Sequence, residues 1–79
     1  MRINDVKVHP EDARTLVDLL LREGSDDALA AATAIETGLA ERADVDLSNA
    51  GLRAVWIVLA DYPPEGHLAQ LTDYVAHAM

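Results

Sequence analysis

The chain has 79 residues, 14 of them acidic and 6 basic, for a formal net charge of −8. That balance repels phosphate backbones and anionic lipid, so neither direct nucleic-acid binding nor membrane binding is expected. There is no cysteine to staple or metallate so small a core, and a chain this short buries only roughly 60–65% of the surface its unfolded form exposes.

The opening MRINDVKVHP lacks the apolar stretch of a signal peptide. Residues 1–9 read as an extended segment leading into one helical domain that takes in residues 1–79. INDVKV alternates as a strand would, and so does ADVDL at positions 43 to 47. A ribbon made of two such short pieces would be marginal, so both are expected to be coil.

His9–Pro10 opens the first helix, expected over 10–23. Proline suits the first helical position, and Glu11 and Asp12 sit at the positive end of the helix dipole. A period of about 3.6 residues collects Ala13, Leu16, Val17, Leu20 and Leu21 on one side. Arg22 lies in the last turn, and Gly24 stops the helix in a left-handed cap. Ser25 caps a second helix over 26–41, with Asp26 and Asp27 in its first turn. Ala28, Ala32, Ile35 and Leu39 form its apolar stripe, and its alanines allow close helix–helix approach. Gly38 is expected to weaken it, by about 1 kcal/mol relative to alanine.

Ser48 caps a third helix over 49–61. Leu52, Val55, Trp56, Leu59 and Tyr62 share one face, which makes Trp56 a core residue. VWIV has strand propensity, but the helical spacing from Leu52 to Leu59 outweighs it. The prolines of YPPEG then force a corner, because each disfavours helix in the residue before it. A proline-rich ligand would need a P-x-x-P repeat in an extended tract, so Pro63–Pro64 is read as punctuation. A fourth helix follows over 65–78, with Leu68, Leu71, Val75 and Ala78 on its stripe. The fold class expected is all-α: a small four-helix bundle or orthogonal helical domain with short loops.

Leu59-x-Asp61-x-Pro63-Pro64-x-Gly66-x-Leu68-x-x-Leu71 resembles the C-terminal half of small uncharacterised all-helical proteins of actinobacteria. LLREGSDDALAAATAIETGLA, residues 20 to 40, is similar to their first helical hairpin. The resemblance implies an all-helical fold. It carries over no activity and no functional residue.

Chemistry is hard to place on this chain. Asp44-x-Asp46-x-Ser48 begins like a calcium loop, but Asn49 stands where the loop needs glycine and Val55 where it needs a bidentate glutamate. His9, His67 and His77 have no histidine three or four residues away, so zinc ligands would have to gather from distant turns. Gly24, Gly38, Gly51 and Gly66 are too scattered to cradle a phosphate. In length and acidity the chain is similar to acyl carrier proteins, which carry a modifiable serine in Asp-Ser-Leu. Here Asp46-Leu47-Ser48-Asn49 gives Ser48 the wrong neighbours, and an N-cap role accounts for it. No catalytic residue, metal ligand or cofactor is therefore expected, and the chain is not read as an enzyme.

Three apolar residues lie off or at the edge of the stripes. Leu19 shares a side with Asp12 and Thr15, Ile57 lies opposite Leu59, and Val58 is at the edge. They are the candidate partner-interface residues, unless the third helix is central and buried all round. The function expected is a small non-catalytic helical protein-interaction module, binding another protein or a second copy as a twofold dimer. The alternative is an acidic regulator that masks a basic partner surface, as an antitoxin or a nucleic-acid mimic does. The longest unbroken apolar run, AVWIVLA, is far short of a membrane span, and the expected location is the cytoplasm.

Overall fold

The computed structural model describes residues 1–60 and 67–78, with only the backbone described for His67, Leu68, Ala69 and Ala78. Helix α1 spans Pro10–Glu23 and α2 Asp26–Glu41. Helix α3 spans Asn49–Ala60 and α4 His67–Ala78. Among the described residues the fold is an all-α domain of four helices with one very small sheet. Residues 61–66, the segment that holds the expected proline corner and Tyr62, lie outside the described residues.

The helix boundaries follow from local chemistry. Pro10 begins α1, and Gly24 ends it at φ 75°, donating its N–H to the Leu20 carbonyl at 3.2 Å. The Ser25 hydroxyl accepts the Ala28 N–H at 3.2 Å and caps α2. Ser48 does the same for α3, accepting the Gly51 N–H at 3.2 Å. Each cap satisfies an amide that the helix itself cannot.

The segment expected to be coil is instead a hairpin. Strand β1, Arg2–Ile3, pairs antiparallel with β2, Val6–Lys7. Asn4 and Asp5 form the two-residue turn between them, with φ of 49° and 69°. Positive φ at both central residues is the geometry whose twist matches that of paired strands. So short a ribbon holds because it is not alone. Ile3 also bridges in parallel to Val45, where the Val45 N–H donates to Arg2 O and the Asn4 N–H to Val45 O, both at 2.8 Å. The Asn4 side chain then extends the pairing by one step. Its Oδ1 accepts the Leu47 N–H at 2.7 Å, and its Nδ2 donates to the Leu47 carbonyl at 3.1 Å. An amide side chain here does what a backbone peptide would do in a longer strand.

This three-piece clamp brings Ile3, Val8, Val45 and Leu47 into the core, all buried. They join Ala13, Leu16, Val17 and Leu20 of α1 and Ala28, Ala31, Ala32 and Ile35 of α2. Helix α1 packs chiefly on α2, α3 packs on both and on α4, and α4 leans on β2. No polar side chain is buried among the described residues. Gly38 is a contact position as well as a weak helix former. A Cβ there would overlap Val45 Cγ2 and lie 3.0 Å from the Ala43 carbonyl oxygen. Its bare backbone lets the link pass across the end of α2, where Arg42 turns left-handed at φ 55°.

Two residues assigned to the core stripes lie elsewhere. Leu21 is 48% exposed, because the four buried residues of α1 centre between Ala13 and Leu20, about 90° away at 3.6 residues per turn. Trp56 is 42% exposed. Helix α3 packs on α2 with Gly51 beside Ala31: a Cβ on Gly51 would stand 3.7 Å from the Ala31 Cβ. The buried face of α3 centres on Val55 and Val58, which turns Trp56 outward.

Candidate functional site

Helix α3 is apolar nearly all round, with Arg53 its only charged residue. Gly51, Leu52, Ala54, Val55, Val58 and Leu59 face the core. The remaining positions, Asn49, Ala50, Arg53, Trp56, Ile57 and Ala60, are exposed. They span an arc of about 120° at 3.6 residues per turn, one continuous outer face. Trp56 and Ile57, at 42% and 40% exposure, are its two large apolar groups. Isolated exposed apolar residues are ordinary on a soluble protein. Two adjacent large ones, flanked by alanines and without an acid, form a patch of the kind that marks contact surfaces.

Of the three candidate interface residues, only Ile57 reaches this surface. Val58 is buried, in the α3 core face, because the Gly51–Ala54 side draws that edge of the helix inward. Leu19 is half-buried and packs against the core. Neither is presented as Ile57 is. Trp56 belongs to the patch although periodicity placed it inside. The spacing of Gly51 and Ala54 was the available signal, since small residues three apart mark the side of a helix that a neighbour approaches.

Among the described residues the other exposed large apolar residues, Leu21 on α1, Leu29 on α2 and Tyr74 on α4, each stand alone on their helices. Asp44 and Ser48, from the segment that starts like a calcium loop, have structural partners: Asp44 Oδ1 accepts the Arg2 N–H at 3.0 Å, and Ser48 caps α3. A shallow groove of about 150 Å³ runs beside them, lined by Asp27, Ala31, Asp46 and Gly51 among others. No three His, Asp or Glu side chains among the described residues come together in a way that could hold a metal ion. His77 is exposed, its Nδ1 donating to the Asp73 carbonyl at 2.7 Å. His9 occupies the N-cap position of α1.

Compared with protein-family models, curated proteins and solved structures, the chain matches none. None of the described helices is long and apolar enough to cross a membrane.

Proposed function

We propose that the chain is a small non-catalytic interaction module of the cytoplasm, with the outer face of α3 as its contact surface. The observation that carries this reading is the adjacent exposure of Trp56 and Ile57 on a helix with no acid, in a chain of net charge −8. Aromatic anchors surrounded by small residues are the usual energetic centre of a protein contact.

The test is a capture experiment with the wild-type chain and Ile57→Asp side by side. A partner held by the α3 face should survive about 0.5 M salt, where surface charge is largely screened. It should be lost from Ile57→Asp at any salt. If the two baits retain the same proteins and also associate with a second copy of the chain equally well, the α3 face is not the contact surface.

A second reading rests on a different observation. The acids of α2 and the following link, Asp26, Asp27, Glu36, Glu41, Asp44 and Asp46, are all exposed, with Arg42 the one base among them. A regulator that masks a basic surface would use this side. Its binding would fall steeply with salt and would be insensitive to Ile57→Asp.

A further inference from the structure

We infer that the partner of the α3 face is a second copy of this chain, laid antiparallel across a twofold axis near the middle of α3. The inference rests on the α3 reading above and adds the identity of the occupant. Two observations single out a second copy. The first is the distribution of acids. Exposed acids lie on α1 (Glu11, Asp18, Glu23), on α2 (Asp26, Asp27, Glu36, Glu41) and on α4 (Asp73), whereas α3 has none. Two chains of net charge −8 repel one another. The α3 face is the helix surface on which they can meet with no described acid set against another, and charges beyond roughly 8 Å are screened at physiological salt.

The second observation is self-complementarity. Arg53 and Trp56 stand three residues apart on the exposed face, so their side chains are neighbours. A twofold axis between residues 54 and 55 sets Arg53 against Trp56 of the other copy, and the reverse. A guanidinium over an indole face is the favoured cation–π pair, and the symmetry makes it twice. The same operation places Asn49 opposite Ala60 and leaves Ile57 at the edge of the contact, opposite Leu52 of the other copy.

The geometry permits a crosslinking test, since the native chain has no cysteine. Asn49 and Ala60 are about 16 Å apart along one helix, too far for a bridge within a chain. The double variant Asn49→Cys/Ala60→Cys should therefore form a disulfide-linked dimer on mild oxidation, whereas Ala60→Cys alone should not. Sedimentation of the wild type over a hundredfold concentration range should show a monomer–dimer equilibrium. Emission from the single tryptophan should shift to the red on dilution. Ile57→Asp and Arg53→Glu should each weaken the dimer about tenfold or more with helix content unchanged. Arg53 is exposed, so Arg53→Glu keeps the test valid should Ile57→Asp unfold. A wild type that stays monomeric throughout overturns the second copy, as does efficient crosslinking of Ala60→Cys alone. If that monomer still captures another protein in an Ile57-dependent way, the α3 surface stands and only its occupant is wrong. If it captures none, both fall.

Discussion

Helices α1 and α3 announce themselves by the same signal, apolar residues at helical spacing, yet only α1 takes the orientation which that signal implies. In α1 the acids and arginines fill the outer side, so the apolar stripe has just one place to go. Its buried residues are Ala13, Leu16, Val17 and Leu20. In α3 the sequence NAGLRAVWIVLA has only Asn49 and Arg53 to mark an outer side. Periodicity then identifies the helix without fixing its rotation. In the fold the small residues Gly51 and Ala54 take buried positions beside Val55 and Val58, and Trp56 is left outside. A large apolar residue is thus no guide to the core when smaller ones compete for the contact.

The largest effect that sharpens this contrast is Leu20→Ala. Leu20 is fully buried in the unambiguous helix, and its truncation should cost about 2–5 kcal/mol in urea unfolding. Next is Gly38→Ala, which tests whether spacing outranks propensity in α2. Helix propensity alone predicts a gain of about 1 kcal/mol. The overlap with Val45 predicts a loss of about 1–3 kcal/mol, and a stabilised variant would mean that the link does not cross there. Trp56→Ala should cost only about 1 kcal/mol at a concentration where the chain is monomeric. A loss as large as that of Leu20→Ala would return Trp56 to the core and undo the contrast. The smallest effect is that of Leu21→Gln, within about 0.5 kcal/mol of the wild type. A clear destabilisation would show the α1 stripe to be broader than its four buried residues.

Much of the fold was legible because helix ends are local chemistry. Pro10, Gly24, Ser25 and Ser48 mark boundaries that need no knowledge of the rest of the chain. The N-terminal hairpin was legible in part. Asn4–Asp5 between Ile3 and Val6 is a pair suited to positive φ, and the alternation on either side was visible. What local reading could not supply is the partner that makes so short a ribbon hold, since Asn4 meets Leu47 across 43 residues. For the contact surface, Ile57 was legible as an apolar residue opposite the stripe. Val58 and Leu19 were not separable from it, because their burial depends on where α2 sits rather than on their own helices.

The clamp around Asn4 also bears on the order in which the molecule assembles. Closing a loop of this length in a disordered chain carries an entropic cost that grows with its length. Most of that loop is α1 and α2, joined by a tight turn and packed on one another. Their hairpin returns Gly38 and Arg42 to the groove that also holds Pro10. Once it has formed, the two strands of the clamp start as neighbours and only short flanking segments remain to be ordered. The clamp is then a late latch rather than a nucleus. Asn4→Ala should cost about 1–2 kcal/mol through the two lost hydrogen bonds to Leu47. In stopped-flow measurements that loss should appear as faster unfolding, with the refolding rate nearly unchanged. Slowed refolding instead would place the clamp ahead of the helices.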